Sequence, residues 1–377
     1  MDKKKVLFIS DLAVEGSGYM QISINLALGL VKSGYEVKCI GLRYNGEEHN
    51  HPFSILPCAG FQEANLEYYN ITTLWKQDVT VVALDIHMQE RLLQQVATLE
   101  RKPPYIGIFP VEGDPLCMDW ALVLSQMQGK FCISEFGTNE CKKAGIEAEY
   151  IQIGIDTESW RPPILGEREA LRKAMGFEED DLIILTVADN QERKNLSSAI
   201  HTVSELEKRL GRPVKYVMVT REFQPTGWKL RSLAQEYNYQ NLVIYERGLG
   251  FKELLGVYMM SDLFFIPSLA EGLNMCVLEA QATGLPVFGT DCTALHELLA
   301  DGKGVLLPVK FTYCNVFGNS NRYFYDEEQA LDVLYNSVLN METLKSTIDL
   351  GRAAAVARTW DITSTQLDNK IKELLHE

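Results

Sequence analysis

Short, almost wholly apolar runs recur along the first 160 residues, and segments of helical period lie between them. The apolar runs are residues 6–10, 36–40, 79–84, 105–109, 130–133 and 149–153. Residues 21–33 and 88–99 have apolar positions at the three-to-four-residue spacing of an amphipathic helix. Because strands that alternate with helices form βαβ units, this pattern predicts a doubly wound α/β domain with a parallel sheet.

The pattern breaks at residues 160–163, Trp-Arg-Pro-Pro, which are typical of a linker, and then begins again. A second set of apolar runs predicts a second doubly wound domain: residues 182–187, 214–219, 242–245, 263–266, 287–289 and 304–307. Residues 312–325, rich in Asn, Gly and aromatics, are expected to form a surface loop. Helices are expected at residues 327–340, 341–358 and 362–375.

Composition and charge narrow the class of protein. The 377 residues are enough for two domains with separate cores, and 46% hydrophobic and 23% charged residues are typical of a soluble globular chain. The formal net charge of -15 argues against a general nucleic-acid surface and against docking on anionic lipid. No apolar run approaches the roughly 18 residues of a membrane span, and the N-terminal run is too short for a signal peptide, so a cytoplasmic location is expected.

The cysteines and the acidic residues give no sign of a metal site. The eight cysteines contain no C-x-x-C pair and lie mostly in apolar segments, so we expect buried free thiols rather than a zinc ribbon, a redox motif or a disulfide framework. No D-x-D triplet, which would place two carboxylates close together as oxygen ligands for a divalent cation, occurs either. The sequence therefore favours chemistry without a metal.

Two glutamates, Glu271 and Glu279, are the most informative residues of the chain. The predicted strand at residues 263–266 leads through Glu271 into a predicted helix that ends at Gly284. Glu271 is thus expected at the helix N-terminus, where free backbone N–H groups and the helix dipole favour a phosphate group. Glu279 would lie about 12 Å further along the axis. Two carboxylates that flank an anion site and accept hydrogen bonds from hydroxyl groups suit a nucleotide sugar. The structural alternative is that Glu271 only caps the helix and that Glu279 is a solvated helix residue.

Four short motifs around these glutamates resemble the signature of the group-1 family of retaining glycosyltransferases. They are Pro-Ser at 267–268, Glu-Gly at 271–272, Leu-Glu-Ala at 278–280 and Gly-Leu-Pro-Val at 284–287. The resemblance implies the GT-B fold, in which two Rossmann-like domains face each other and the last helix crosses back onto the first. The expected divisions are an acceptor-side domain at 1–160, a nucleotide-sugar domain at 161–358 and the returning helix at 359–377.

The resemblance also implies roles for residues of the second domain. Glu271 would hold sugar hydroxyls and act in catalysis, and Glu279 would hold the ribose. The groups that would neutralise the diphosphate are the side chains of Arg193 and Lys194 and the backbone around Gly272, Leu273, Asn274 and Met275. The family's arginine is replaced by Asp189, with Arg193 beside Lys194 instead, and its glycine and aromatic after Glu-Gly are replaced by Leu273 and Asn274.

Three loops of the first domain are further candidates. The loop with Gly16 and Gly18 lets backbone approach a ligand closely, although residue 21 is Gln and no third glycine completes a dinucleotide fingerprint. By the resemblance this loop reaches toward donor and acceptor. His87 and Glu112 follow the third and fourth predicted strands, where sheets of this class hold ligands. The resemblance favours His87 near the donor sugar, and Glu112 competes as the group that binds or deprotonates the acceptor.

The sequence therefore predicts a retaining, metal-independent hexosyltransferase that moves a hexose from a UDP- or GDP-sugar to a hydroxyl of a sugar, glycan or other acceptor. No cofactor beyond the donor and no nucleic-acid partner are expected. A sugar-nucleotide epimerase is an alternative within enzymes, and an inactive nucleotide-sugar-binding subunit is an alternative outside them, because Asp189, Leu273 and Asn274 alter the motif. The base, the sugar, the acceptor, the linkage and the oligomeric state are not specified.

Overall fold

The computed structural model describes residues 3–13 and 18–376, which form two compact units. The first unit comprises Met1–Gly154, Val316–Ser320 and Arg358–Glu377, and the second comprises Ile155–Asn315 and Asn321–Ala357. Each unit has its own parallel sheet and its own hydrophobic core. The prediction of two doubly wound α/β domains is thereby confirmed.

The described part of the first unit contains a seven-stranded sheet of order β3-β2-β1-β4-β5-β6-β7. Its strands are β1 (Lys5–Asp11), β2 (Glu36–Leu42), β3 (Ser54–Cys58), β4 (Val79–Ala83), β5 (Tyr105–Phe109), β6 (Gly129–Cys132) and β7 (Glu149–Tyr150). All five residues of the central strand β4 are buried, as expected of a parallel sheet covered on both faces. The edge strand β3 was not predicted, because Pro57 and half-exposed positions conceal it.

The helices of the first unit cover this sheet. They are α1 (Gly18–Lys32), α2 (Phe61–Leu74), α3 (Ile86–Thr98), α4 (Met118–Ser125) and α5 (Glu135–Lys143). Along α1 the buried residues Ile22, Leu26 and Leu30 are spaced four apart, so they form one apolar stripe against the core. The helix α2 was not predicted, because its buried stripe of Ala64, Tyr68, Ile71 and Thr72 includes a small and a polar residue.

The described part of the second unit contains a six-stranded sheet of order β10-β9-β8-β11-β12-β13. Its strands are β8 (Leu182–Val187), β9 (Val214–Thr220), β10 (Leu242–Glu246), β11 (Leu263–Ile266), β12 (Val287–Thr290) and β13 (Val305–Leu307). Its helices are α6 (Glu167–Ala174), α7 (Leu196–Leu210), α8 (Leu230–Glu236), α9 (Phe251–Met260), α10 (Met275–Ala282), α11 (Thr293–Leu299), α12 (Glu327–Leu339) and α13 (Lys345–Val356). Short 3-10 turns occupy Glu192–Lys194 and Met341–Leu344, so the helix expected over 341–358 begins later than predicted.

The prediction of a surface loop at residues 312–325 is wrong, because this segment belongs to a hairpin of β14 (Val309–Asn315) and β15 (Ser320–Tyr325). Phe311 stacks on Phe324 with ring centroids 4.7 Å apart. The backbone N–H of Tyr323 donates to the carbonyl of Leu269 at 2.9 Å, which ties the hairpin to the loop after β11. Aromatic and polar residues alternate along β14 with the period of a strand, but the Asn and Gly residues of the turn concealed this pattern.

The last helix, α14 (Trp360–Leu375), belongs to the first unit and packs on α1. Asp368 accepts a hydrogen bond from Tyr35 Oη at 2.8 Å. Thr363 Oγ1 donates to the carbonyl of Gln152 at 2.6 Å. These contacts join the end of the chain to elements more than 200 residues earlier in sequence.

Two further expectations concern the cysteines and the membrane. All eight cysteines are free, and five are buried, but Cys314 on β14 is exposed, contrary to the expectation of buried thiols throughout. Across residues 3–13 and 18–376, no helix has the length and apolar character that crossing a membrane requires.

Candidate functional site

The parallel strands of the second sheet all have their carboxyl ends along one edge of the sheet. Along that edge, the direction in which successive strands are added reverses between β8 and β11. The order runs β10-β9-β8 on one side and β11-β12-β13 on the other, with parallel pairing throughout. The reversal between β8 and β11 is a topological switch point, where open α/β sheets leave a crevice that binds ligands. The loop after β8 carries the basic pair and the loop after β11 carries Glu271, so the two predicted donor-site segments meet at this point.

Glu271 lies at the centre of a buried charge cluster in the loop between β11 and α10. Its exposed fraction is 3%. Its Oε1 accepts hydrogen bonds from the Lys194 ammonium group, from Ser268 Oγ at 2.6 Å and from Asn274 Nδ2 at 3.0 Å. Its Oε2 accepts one from Arg193 Nη1 at 2.9 Å. The fold therefore brings the predicted basic pair and the predicted carboxylate into direct contact.

The positive charges of Lys194 and Arg193 keep the carboxyl group of Glu271 ionised. Burial by itself would raise the pKa of this carboxyl, but the charges of Lys194 and Arg193, with the hydrogen bond from Ser268, outweigh it and lower the pKa to about 2. Glu271 is therefore ionised at neutral pH. Its backbone N–H donates to Thr293 Oγ1 at 2.9 Å, so the main chain of the loop is fixed as well as the side chain.

The helix α10 begins at Met275, four residues later than the expected start at Glu271. Asn274 has a φ of +100°, which interrupts the helical conformation. Its Oδ1 accepts a hydrogen bond from the backbone N–H of Val277 at 3.2 Å, which is the bond of an N-terminal cap. Glu271 consequently lies in a loop that precedes the helix N-terminus.

The residues between the two glutamates divide between this loop and the first turn of α10. Gly272 and Leu273 are buried in the loop, whereas Asn274 is half-buried. Met275 is the first helical residue, and a backbone N–H at this position has no acceptor within its own helix. Because residues 271–274 are not helical, the axial separation of about 12 Å expected for Glu271 and Glu279 does not apply.

Glu279 is buried on α10 beside a tyrosine. Its exposed fraction is 3%, and its Oε2 accepts a hydrogen bond from Tyr258 Oη at 2.7 Å. Burial above all, together with neighbouring Cys276 and Glu279, raises the pKa of Tyr258 well above its ordinary value. The phenol therefore stays protonated and donates to the carboxylate.

A second charge cluster surrounds Asp189, two residues after β8. Arg221 Nε donates to Asp189 Oδ1 at 2.7 Å and its Nη2 donates to Oδ2, while Arg247 Nη1 lies 3.3 Å from Oδ2. Burial alone would raise the pKa of Asp189, but the hydrogen bond from Arg221 and the charges of both arginines lower it. Neither arginine belongs to a motif, and the sequence signal for each is a cation two residues after a predicted strand.

The candidates of the first unit lie at the carboxyl edge of its sheet, whose order reverses between β1 and β4. His87 is in the first turn of α3, and its ring makes an edge contact with Phe317 at a centroid distance of 5.5 Å. The ring of Trp120 lies 6.4 Å from that of His87. Glu112 is half-buried in the loop after β5, the strand next to β4. His87 and Glu112 thus follow neighbouring parallel strands.

Of the glycine-rich loop of the first unit, the structure describes Gly18 and the residues that follow it. Gly16 lies outside the described residues, and Gly18 is the exposed first residue of α1. The next residue, Tyr19, donates from its Oη to Asp85 Oδ1 at 2.5 Å, and Asp85 is the N-cap of α3. The start of α1 is therefore fixed next to the strand end that carries His87.

Most of the second unit is similar to a known protein family. Residues 167–314 match the family described as Glycosyl transferases group 1. The chain is 27% identical to EpsD of Bacillus subtilis (strain 168) over 228 residues, which are 59% of this chain and 55% of that protein. It is 33% identical to the serotype-specific mannosyltransferase WbdA of Escherichia coli over 122 residues, which are 32% of this chain and 15% of WbdA. The chain thus spans about half the length of these curated relatives, or less.

Solved structures are similar over nearly the whole chain. Sucrose-phosphate synthase from Thermosynechococcus elongatus has a TM-score of 0.79 at 14% identity, and the match covers 99% of this chain and 100% of that one. Anabaena Alr3699/HepE in complex with UDP and glucose has a TM-score of 0.76 at 14% identity, covering 98% and 100%. At such identities the likeness concerns the fold, which is the GT-B arrangement of two Rossmann-like domains. Residues 167–314 are thus similar to the group-1 glycosyltransferase family.

Proposed function

We propose that the protein is a retaining glycosyltransferase that moves a hexose from a UDP- or GDP-sugar to a hydroxyl acceptor. The observation that carries the proposal is the buried, ionised Glu271, held by Arg193 and Lys194 at the switch point of a group-1 domain. The relative WbdA is named as a mannosyltransferase, and the HepE structure holds UDP and glucose. Both names support a hexose and a nucleoside diphosphate as the parts of the donor.

Glu271 is suited to orient the sugar of the donor. An ionised carboxylate offers about four acceptor positions, two on each oxygen. Among the described residues Oε1 has three donors, whereas Oε2 has a single one in Arg193. We assign the second acceptor position of Oε2 to a hydroxyl of the hexose. A hydrogen bond to this ionised group is stronger than one to a neutral acceptor.

The diphosphate is assigned to the cations that surround Glu271. Lys194 and Arg193 supply positive charge at the end of β8, and the backbone N–H of Met275 supplies a donor at the start of α10. Glu279 is assigned to the ribose hydroxyls. These groups would stabilise the negative charge that develops on the leaving nucleoside diphosphate, so the scheme requires no metal.

The transfer itself exchanges one bond at the anomeric carbon for another on the same face. The bond between C1 of the hexose and the phosphate oxygen breaks, and a bond between C1 and the acceptor oxygen forms. The acceptor proton passes to the departing phosphate oxygen, so the diphosphate acts as both leaving group and base. His87 and Glu112, at the strand ends of the first unit, are assigned to orienting the acceptor.

The experiment is a donor and acceptor screen with the full chain. Thermal shift with UDP-, GDP- and ADP-sugars selects the donor, because a ligand that binds the native state raises stability. Mass spectrometry of acceptor mixtures, with and without EDTA, then detects the product, and NMR of its anomeric proton reports the configuration. We expect EDTA-resistant transfer with retention.

Other outcomes of this screen identify the competing functions. Conversion of the donor without any acceptor would identify an epimerase. Donor binding without turnover over the whole acceptor panel would identify a nucleotide-sugar-binding subunit. An inverted anomeric configuration would remove the retaining mechanism.

A further inference from the structure

Tyr258 is a fully buried tyrosine of α9 whose ring is held by two aromatic neighbours. Phe264 of β11 stacks on this ring with centroids 5.8 Å apart, and Trp160 meets it edge-on at 5.1 Å. Trp160 is itself buried and belongs to the segment that the sequence predicts to be a linker. Because close packing leaves the ring of Tyr258 little freedom to turn, the direction of its hydroxyl group is fixed by the core of the second unit.

The hydroxyl group of Tyr258 contacts the carboxylate of Glu279 on α10. Its Oη donates to Glu279 Oε2 at 2.7 Å, and burial raises the pKa of the phenol well above its ordinary value, so the phenol remains a donor at neutral pH. The two oxygens of a carboxylate lie in one plane, so a hydrogen bond that fixes one oxygen also restricts the direction of the other. The rigid ring of Tyr258 therefore sets the orientation of the Glu279 carboxylate.

Glu279 lies one helical turn beyond Met275, whose backbone N–H we assign to the diphosphate. Residues four apart share one face of a helix, and four residues span about 6 Å along its axis. The ribose of a nucleoside diphosphate is attached directly to the diphosphate, so its hydroxyl groups come within reach of a side chain at this distance. A carboxylate that is already oriented binds these hydroxyl groups at a lower entropic cost than one that is free to rotate.

The same unit contains a buried tyrosine with an ordinary structural hydrogen bond. Tyr239 is 3% exposed, and its Oη donates to the carbonyl of Val214 at 2.5 Å. Val214 is the first residue of β9, so this hydrogen bond lies at the amino edge of the sheet, opposite the edge that binds ligands. Tyr239 is therefore a matched control for Tyr258.

We propose that Tyr258 is a positioning residue for the donor: its hydroxyl group holds the Glu279 carboxylate in the orientation that accepts hydrogen bonds from the ribose. Tyr258 thereby determines how strongly the protein distinguishes a ribonucleotide from its deoxy form. The inference rests on the proposed function, since that function assigns Glu279 to the ribose. A deoxy nucleotide leaves a buried and oriented acceptor unpaired, which is costly, so a well-positioned carboxylate discriminates strongly.

The test compares the affinity of the full chain for UDP, GDP and ADP with its affinity for the 2′-deoxy and 3′-deoxy forms of the preferred nucleotide, measured by isothermal titration calorimetry. Tyr258→Phe keeps the ring in its packed position and removes the hydroxyl group, and Tyr239→Phe is the control. Tyr258→4-aminophenylalanine restores a hydrogen-bond donor at the same position. Each phenylalanine variant loses one buried hydrogen bond, so thermal unfolding should show a similar fall of about 2 to 4 °C in melting temperature for both.

The quantity of interest is the discrimination ratio, which is the dissociation constant of the deoxy nucleotide divided by that of the ribonucleotide. We expect a ratio of about tenfold or more in the wild type and of about threefold or less in Tyr258→Phe, because a carboxylate that can rotate gains less from each ribose hydroxyl. Tyr239→Phe should keep the wild-type ratio despite its lower melting temperature. The 4-aminophenylalanine variant should recover most of the ratio, since its amine can donate to Glu279.

Four results would decide against the inference. An unchanged ratio in Tyr258→Phe, or no recovery of the ratio with 4-aminophenylalanine, would overturn it while leaving the proposed function standing. An equal fall of the ratio in Tyr239→Phe would also overturn it, since the effect would then follow from lost stability alone. A wild type that binds nucleotide without preferring the ribose form would remove the assignment of Glu279 to the ribose and the inference with it. If the wild type bound none of UDP, GDP and ADP, the proposed function itself would fail first.

Discussion

Glu271 is a buried charge that two cations neutralise, so its replacement has two separable consequences. The neutral isostere glutamine loses the strong acceptor that we assign to the hexose. It also deprives Lys194, which is 9% exposed, and Arg193 of the carboxylate that both of them contact. Breaking a buried ion pair by removing one partner is more costly than the pair itself is stabilising, so both activity and stability are expected to change.

For Glu271→Gln we expect the rate of transfer to fall by at least about 100-fold, the order found when one preorganised polar contact to a transition state is removed. We expect the free energy of unfolding to fall by about 3 kcal/mol, with the native fold retained. Steady-state kinetics and urea unfolding measure the two effects. The control is Glu205→Gln, because Glu205 forms an exposed pair with Lys208 on α7. Full activity in Glu271→Gln would remove the assignment of Glu271 to the donor sugar.

Lys194→Ala should chiefly weaken nucleotide binding. The ammonium group contacts Glu271 and lies at the end of the 3-10 turn after β8, where we place the diphosphate. We expect the dissociation constant for the preferred nucleoside diphosphate to rise by about tenfold or more, which equals about 1.4 kcal/mol. Lys208→Ala, an exposed lysine of the same unit, is the control. An unchanged dissociation constant would show that Lys194 serves only to hold Glu271.

The lowered pKa of Glu271 predicts a loss of stability in acid. Its folded pKa of about 2 lies below the ordinary 4.5, so its contribution is complete above about pH 4.5 and is lost as the pH falls toward 2. The size of that contribution is on the order of 3 kcal/mol. Urea unfolding of wild type and Glu271→Gln between these pH values measures it, and the variant should show the weaker pH dependence. Parallel pH curves for the two proteins would contradict the assigned pKa.

The sequence identified Glu271 and the basic pair, but not that they touch. Lys194 and Glu271 are 77 residues apart, and their loops become neighbours only because β8 and β11 are adjacent in the sheet. A sequence motif shows which residue types are present, but the order of the strands in the sheet determines which of these residues touch. The spacing of apolar residues along the chain predicts strands and does not predict their order. The same limit hid Arg221 and Arg247, which meet Asp189 only through the order β10-β9-β8.

At the scale of elements, the start of α10 depends on one residue. Asn274 has a φ of +100°, a conformation that glycine adopts at little cost. Asparagine tolerates positive φ better than most residues. It also caps Val277 and donates to Glu271 at 3.0 Å, contacts that a glycine cannot make. Asn274 therefore permits the turn and adds two hydrogen bonds that fix it.

This account predicts an order of stability among variants at position 274. Asn274→Gly keeps the backbone conformation and loses the two side-chain hydrogen bonds, so we expect a cost of about 1 kcal/mol. Asn274→Ala loses the same bonds and adds the strain of a positive φ, so we expect about 2 to 3 kcal/mol. Urea unfolding ranks the two. If alanine were as stable as glycine, the positive φ would not be a constraint on this turn.

Other elements show where local patterns succeed and fail. The buried strands β5, β8 and β11 coincide with their predicted bounds, because a strand covered on both faces is a continuous apolar run. The edge strand β3 and the hairpin strand β14 have half-exposed or exposed positions, so they lack such a run. Burial on both faces thus makes a strand easy to recognise in the sequence, although the half-buried β10 was predicted as well.

At the scale of the molecule, the two units depend on contacts of different range. The sheet of the second unit is built from one continuous stretch of chain, whereas the first unit needs α14 from the far end. Gly29 on α1 lies directly against Ser364 on α14, and a Cβ at Gly29 would overlap the Ser364 side chain. The stability of the first unit therefore depends on the fit between two helices more than 300 residues apart.

Gly29→Ala should destabilise the first unit without changing the donor site. Overpacking of a close helix contact costs about 1 to 3 kcal/mol, which corresponds to a fall of about 5 °C in the melting temperature of that unit. The control is Gly60→Ala, because Gly60 has an extended φ of -167° and a methyl group there would meet no atom within 4 Å. The expected contrast is a lower transition for Gly29→Ala and a nearly unchanged one for Gly60→Ala.

Calorimetry with and without nucleoside diphosphate separates the two units, because the nucleotide should raise the transition of the second unit and Gly29→Ala should lower that of the first. The dissociation constant of the nucleotide should be the same in Gly29→Ala and in the wild type, since the donor contacts assigned above all lie in the second unit. A Gly29→Ala protein as stable as Gly60→Ala would show that α1 and α14 do not pack as closely as described. A weakened nucleotide affinity in Gly29→Ala would show that the donor site depends on the first unit as well.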